Sequence, residues 1–238
     1  MSRTLIVPAL VSMIAAAPAA AAEIHVPSQG PVVELSVTET VKARPDLATV
    51  SAGVTSQAQT AVEAMRLNAA AMERVVQRIR ALGVSGDDVQ TTGIDLGAQF
   101  DYDQATRRQV FRGYQASNRV SVVLRKVSDT GRVLDALVAA GATDIAGPSF
   151  SIDDDTAPRA QARKAALDKA RAQAEEYARW AGYSGVRLLQ ISETANPGRP
   201  MPFAGEARLA SLDAKATPVE PGLVGTAVTV DVTYELTR

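Results

Sequence analysis

Strict alternation of apolar and polar side chains at both ends of the chain constrains its fold most strongly. A period of two describes a strand with one face on a core and the other in solvent. The sequence therefore predicts strands at both ends of the folded domain. Their apolar positions are Val33, Leu35 and Val37 in the first strand, Ala48, Val50, Ala52 and Val54 in the second, and Val228, Val230, Val232, Tyr234 and Leu236 in the last.

Three segments between these strands predict amphipathic helices. The first starts at a capping box formed by Thr60 and Glu63 and ends near Gly83. The second spans residues 128–140, and the third spans 156–181 with Thr156 as its cap. Their predicted apolar stripes are Val62, Met65, Ala69, Met72, Val76 and Ile79, then Val133, Leu134, Leu137 and Val138, then Ala166, Ala170, Ala174, Tyr177 and Ala181. Trp180, the single tryptophan, is expected to pack at the end of the third helix.

Residues 90–125 predict two strands that are much longer than the usual five or six residues. Ile94, Leu96, Ala98 and Phe100 share one face of the first strand, and the polar segment 101–109 joins the two. We expect this hairpin to contribute to a homo-oligomeric interface, because long apolar edges are usually covered or paired. The candidate anchors are Phe100, Phe111 and Tyr114. In the alternative, the hairpin curls over its own helices and buries these side chains within one subunit.

The element order ββαββαβαββ predicts an α+β fold. Because hairpins predominate, the expected architecture is a largely antiparallel sheet with amphipathic helices on one face. Five prolines interrupt residues 194–222, for which we predict a long surface loop. The predicted domain covers residues 32–238, and residues 23–31 form an N-terminal extension.

The first 22 residues predict a secretory signal peptide. Arg3 precedes an apolar stretch at 5–17, and Ala20 to Ala22 supply the small residues of a cleavage site. The stretch is shorter than the roughly 20 residues that span a bilayer, and no later segment is apolar enough to do so. We therefore expect cleavage after Ala22, export of the mature chain and no transmembrane span.

Catalytic and metal-binding motifs are scarce in this sequence. The chain has no cysteine, its one histidine is His25 near the predicted mature terminus, and its formal charge of −1 argues against a nucleic-acid partner. Residues 182–185 (GYSG) resemble the G-x-S-x-G nucleophile elbow only superficially, because no residue separates the serine from the second glycine. Residues 153–155 (DDD) could bind a divalent cation, but carboxylates before a helix more simply favour its dipole. The predicted protein is not an enzyme and has no cofactor or metal.

Several segments together resemble a known family. They are VKARPDLATVSAGV at 41–54, GYQASN at 113–118, VLDALVAAG at 133–141, ARKAALDKA at 162–170 and VTYEL at 232–236. In this order the segments resemble the SIMPL-domain family across about residues 32–236. One departure is residues 38–40 (TET), where the family commonly carries a Gly-x-Gly turn.

The resemblance implies a periplasmic or outer-membrane-associated protein, since bacterial members are similar to immunogenic proteins of that compartment. It also implies a link with oxidative-stress tolerance and a shared theme of protein binding, and it brings no catalytic residues or cofactors. The expected function is therefore contact with an envelope protein or self-assembly. The alternative is a small-molecule-binding protein with a cleft between sheet and helices.

Overall fold

A computed structural model describes residues 28–194, 201–203 and 217–238. The predicted order of strands and helices is confirmed, with one added three-residue strand, β7, inside the segment for which we predicted a loop. The elements follow one another as β1 (Val32–Ala43), β2 (Leu47–Ala58), α1 (Ala61–Ala81), β3 (Val89–Asp103), β4 (Arg108–Leu124), α2 (Thr130–Ala139), β5 (Asp144–Ser151), α3 (Thr156–Trp180), β6 (Gly185–Thr194), β7 (Met201–Phe203) and β8 (Leu223–Thr237).

The strands form two antiparallel sheets, which confirms the predicted α+β class. The terminal sheet has the order β1-β8-β6, with β7 also on β8, and the hairpin sheet has the order β3-β4-β2-β5. In the terminal sheet, β1 pairs along its whole length with β8, from Val32 opposite Glu235 to Ala43 opposite Val224. Residues 38–40 lie within β1, so this strand continues through them without a turn. Residues 44–46, which contain Pro45, lead into the other sheet.

Each sheet carries helices on one face and has its own hydrophobic core. Helix α1 packs on β2 and β4 of the hairpin sheet and contacts α2, whereas α3 packs on β1 and β8 of the terminal sheet. The buried side chains fall into two clusters that share no residue. The chain passes between the halves at residues 44–46 and 152–155, where the backbone N–H of Asp153 donates to Asp46 Oδ1 at 2.7 Å.

The predicted apolar stripe of α1 is confirmed at Met72 and Ile79 but is wrong at Val62 and Ala69, which are exposed. The buried positions are Ala64, Asn68, Met72, Val75 and Ile79, and Val62 is 81% exposed. Asn68 is the physical reason, because its amide Nδ2 donates to the backbone oxygens of Val54 at 2.8 Å and of Ala116 at 3.0 Å. These bonds satisfy a polar group that would otherwise be costly to bury. In α2 the predicted Val133 and Leu137 are buried, whereas Val138 is exposed. Thr130 is also buried, and its hydroxyl donates to Val127 O.

Helix α3 buries an alanine at every fourth position, and the tryptophan prediction is wrong. The buried residues are Ala162, Ala166, Ala170, Ala174 and Ala178. Tyr177 and Trp180 lie off this stripe, and Trp180 is 75% exposed. Their two rings meet edge to face at 5.6 Å near the end of the helix. Because alanine side chains are small, they let α3 lie close to β1 and β8.

Some predicted features lie outside the described residues. The signal peptide with its cleavage site, and His25, precede residue 28, and most of the predicted loop falls at 195–200 and 204–216. Those predictions therefore stay predictions. Among the described helices, none is long and apolar enough to cross a membrane. After the second gap, the hydroxyl of Thr217 donates to Asp135 Oδ1 at 2.5 Å, so the chain re-enters the structure beside α2.

Candidate interface on the long hairpin

The hairpin formed by β3 and β4 is as long as the sequence predicted. Its strands have 15 and 17 residues, and β3 lies at the edge of the hairpin sheet. The inner part of β4 also pairs with β2, whose last paired residue, Ala58, lies opposite Tyr114. Residues 108–113 of β4 pair only with β3. The outer part of the hairpin is therefore a two-stranded arm that extends beyond β2.

A bulge at the base of the arm sets which side chains share a face. Gln99 pairs with Gly113 and Phe100 pairs with Phe111, so Arg112 is an extra residue on β4. Residues three apart on a regular strand point to opposite faces, but the extra residue puts Phe111 and Tyr114 on the same one. Gly113 makes this geometry accessible, since its φ of 136° disfavours any side chain.

The structure brings together the three aromatic residues that the sequence singled out. The rings of Phe100 and Phe111 meet edge to face at 5.7 Å, and those of Phe111 and Tyr114 meet edge to face at 5.4 Å. Aromatic pairs prefer this arrangement, which contributes about 0.5–1.5 kcal/mol per pair beyond area burial. The cluster is nevertheless open to solvent, with Phe100 54% and Phe111 44% exposed.

The aromatic cluster continues along β3 as an apolar row. Ile94 is 56% and Leu96 47% exposed on the same face, and Tyr102 extends the row toward the tip. We call these six side chains the hairpin patch: Ile94, Leu96, Phe100, Tyr102, Phe111 and Tyr114. Sequence reasoning missed Tyr102 because it placed 101–109 in a polar connection, although the period of two from Ile94 onward includes it. In the structure, β3 runs to Asp103.

The position of α1 explains why the hairpin patch is open. Helix α1 covers β2 and β4, and Ala116 of β4 is completely buried beneath it. Leu96 lies directly opposite Ala116 and on the same face of the sheet. It belongs to β3, however, which lies beside the two strands that α1 covers. The described helices therefore leave the apolar row of β3 in solvent.

The other face of the arm is mostly polar, although the exposed Val110 lies on it opposite Asp101. Arg112, the extra residue of the bulge, pairs with Asp101 at 2.7 Å. At the tip, Asp103 accepts from the Thr106 hydroxyl and from the backbone N–H of Ala105, and these bonds hold the pKa of that carboxyl below its ordinary value. The arm thus has one face that is mostly charged and polar and one face that is mostly apolar.

The polar clusters considered for chemistry have structural roles. Asp153 pairs with Arg125 at 2.9 Å, and Asp155 pairs with Arg159 at 2.6 Å. Bonds from Thr156 hold the pKa of Asp154 below its ordinary value. Across residues 28–194, 201–203 and 217–238, no three His, Cys, Asp or Glu side chains are grouped to hold a metal ion. Ser184 of the GYSG segment donates to Thr237 O at 3.4 Å.

Comparison with known proteins now decides the family. Residues 33–234 match the sequence profile named SIMPL, described as a protein of unknown function (DUF541). The chain belongs to the SIMPL family. The resemblance drawn from short segments is confirmed, and the matched range includes both sheets, all three helices and the hairpin.

Relatives of this SIMPL protein include named periplasmic proteins. It is 32% identical over 200 residues to the 26 kDa periplasmic immunogenic protein of Brucella abortus (strain S19), covering 82% of this chain and 80% of that one. It is 34% identical over 152 residues to the uncharacterized protein YggE of Escherichia coli (strain K12), covering 63% of this chain and 60% of YggE. The chain is a periplasmic protein, as the sequence predicted.

Proposed function

We propose that this SIMPL protein works in the periplasm through protein contacts and not through catalysis, and that it self-associates through the hairpin patch. The observation that carries the proposal is the set of six apolar or aromatic side chains on one face of a hairpin, five of them exposed and Tyr114 half-buried, which the helices of the same subunit do not cover. Contiguous exposed apolar surface of this kind marks interaction sites in folded proteins.

The composition of the patch fits an interface. Burying apolar surface contributes roughly 25 cal/mol per Å², and aromatic side chains dominate the energetics of protein interfaces. Phe100, Phe111 and Tyr114 already hold one another edge to face, so little side-chain freedom remains to be lost on binding. The charged pair of Arg112 and Asp101 lies on the opposite face and would stay in solvent.

A second copy of the chain suits this surface because the patch borders an unpaired strand edge. β3 has β4 on one side and no strand on the other within the described residues. Two such edges can pair antiparallel about a two-fold axis, and the apolar rows on their shared face then become continuous. An exposed edge without a partner is otherwise an aggregation hazard.

Sedimentation velocity of the mature chain tests self-association. The wild type is expected to sediment as a defined oligomer, and replacing Phe100 and Phe111 with serine is expected to yield monomers with an unchanged circular dichroism spectrum. The control replaces Tyr177 and Trp180 with serine, which removes another exposed edge-to-face aromatic pair, 5.6 Å apart, outside the hairpin. This control is expected to remain oligomeric.

Two results would contradict self-association through the patch. A wild type that sediments as a monomer at high concentration would leave a different envelope protein as the occupant, which crosslinking in the periplasm would then capture. A Phe100→Ser/Phe111→Ser variant that unfolds would show that the hairpin belongs to the core of one subunit.

Tolerance of oxidative stress and association with the outer membrane stay predictions that rest on the family resemblance. Both can be tied to the patch. A strain that lacks this protein is expected to survive peroxide poorly and to be rescued by the wild-type chain. If self-association supports this role, the Phe100→Ser/Phe111→Ser chain should fail to rescue at equal abundance. Fractionation of the envelope with each chain tests whether membrane association also needs the patch.

A further inference from the structure

A cleft lies where α1, α2 and the inner end of β4 meet. Its volume is about 520 Å³, within the range of small-molecule sites. The residues that follow α1, from Leu82 to Asp88, form one wall, and the first turn of α2 with the preceding residues forms the other. Leu82, Val84 and Val133, which pack in or against the core of the hairpin sheet, supply apolar surface between the walls.

Four of the six charged side chains that line this cleft form ion pairs. Arg125 pairs with Asp88 at 3.0 Å and with Asp153 at 2.9 Å. Arg132 pairs with Asp129 at 3.2 Å. The two charged side chains that remain are Asp87 on the α1 wall and Lys126 on the α2 wall. Neither forms an ion pair within the part of the chain that the structure describes.

Asp87 and Lys126 carry opposite charges and line the same cleft, but they do not pair with each other. The backbone adds to the separation of charge. N–H groups at the start of α2, whose first turn lines the cleft, favour an anion on the Lys126 side. A ligand that satisfies both ends must therefore carry a cation and an anion at a distance from each other.

We propose that this cleft binds a small zwitterion, either a free amino acid or a short peptide. Its ammonium group pairs with Asp87, its carboxylate pairs with Lys126, and its apolar part lies on Leu82, Val84 and Val133. The site is separate from the hairpin patch, so it adds ligand binding to a protein that also works through contacts.

Isothermal titration of the mature protein with L-alanyl-L-alanine tests the proposal. The N-acetylated dipeptide lacks the ammonium and the dipeptide amide lacks the carboxylate, and each is expected to bind at least 10-fold more weakly. Lys126→Gln and Asp87→Asn should each weaken binding of the dipeptide at least 10-fold. Arg74→Gln and Asp95→Asn, which make the same charge changes outside the cleft, should leave affinity unchanged. Thermal unfolding checks that all four variants fold.

The pattern across variants and probes is the decisive readout. Lys126→Gln should bind the dipeptide no more tightly than the wild type binds the amide, because both have lost the same contact. L-alanine as a second probe distinguishes an amino-acid site from a peptide site, and binding of either supports the proposal. No binding of either probe at millimolar concentration would overturn it, as would equal losses in the two control variants. Binding that needs only the carboxylate would also overturn it, because the cleft would then be a simple anion site.

Discussion

Replacing Asn68 with aspartate tests how α1 is attached to the hairpin sheet. In the wild type, the buried amide Nδ2 donates to Val54 O at 2.8 Å and to Ala116 O at 3.0 Å, so a single side chain binds the helix to two neighbouring strands. A carboxyl group has nearly the same shape but no NH₂. When it is neutral it offers one O–H donor, and when it is ionised it offers none.

The expected loss of stability depends on pH. With the introduced carboxyl neutral, one carbonyl loses its donor, which costs about 1 kcal/mol. With the carboxyl ionised, an unpaired buried charge faces two carbonyl oxygens, which costs about 3–5 kcal/mol. Burial therefore raises the pKa of the introduced group above its ordinary value. Relative to the wild type, the variant is therefore most stable in acid. Its stability falls as the pH rises through the ordinary pKa of an aspartate carboxyl group.

Urea unfolding followed by circular dichroism, at about pH 4 and about pH 7, measures both values. The gap between wild type and Asn68→Asp should widen by roughly 2–4 kcal/mol between the two conditions. Asn68→Leu removes both donors without adding charge, so its loss should not change with pH. A gap that stays constant for Asn68→Asp would contradict the burial of this amide against the strands.

Three further predictions concern packing, the bulge and the N-terminal residues. Ala170→Leu should cost about 1–3 kcal/mol by overpacking α3 on the terminal sheet, whereas Ala172→Leu on the exposed side should cost little, as urea unfolding can measure. Gly113→Ala should destabilise the arm by about 1–3 kcal/mol, because its Cβ would lie 2.5 Å from a carbonyl oxygen of β2; faster amide exchange confined to the hairpin would show this. Hydrogen bonds from Arg187 and two backbone N–H groups hold the pKa of Glu235 below its ordinary value. Its stabilisation is present above that ordinary value and is lost as pH falls through the lowered one, so Glu235→Gln should lose less stability on acidification than the wild type.

Local patterns were sufficient to predict most helices and strands, because apolar periodicity and helix capping depend on residues that are close in sequence. The capping box at Thr60 illustrates this, since its hydroxyl accepts from the backbone N–H of Glu63 at 3.3 Å. The predicted stripe of α1 omitted Asn68 because it was built from apolar residues only. Asn68 is buried because two strand carbonyls, distant in sequence, provide acceptors, and no rule of periodicity contains that information.

The pairing of strands that are distant in sequence could not be predicted either. Both β1 and β2 show a period of two, but this local pattern does not reveal the partner of either strand. It does not show that Val32 lies opposite Glu235, 203 residues later, or that β2 belongs to the other sheet. The hairpin patch could be predicted because its strands are adjacent and their apolar row is unusually long. The cleft could not, since Asp87 and Lys126 become neighbours of one cavity only after α1, β4 and α2 have packed.

The central claim is that a second copy of the chain covers the hairpin patch when the protein self-associates. The chain has no cysteine, so Leu96→Cys provides a single thiol on the patch. Leu188→Cys is a matched control, because Leu188 also lies on a strand and is 44% exposed, against 47% for Leu96. Maleimide labelling is measured at low and high protein concentration. Labelling of Leu96→Cys is expected to be at least 10-fold slower at high protein concentration than at low concentration. The rate for Leu188→Cys is expected to be the same at both. Equally fast labelling of both variants at high concentration would contradict it.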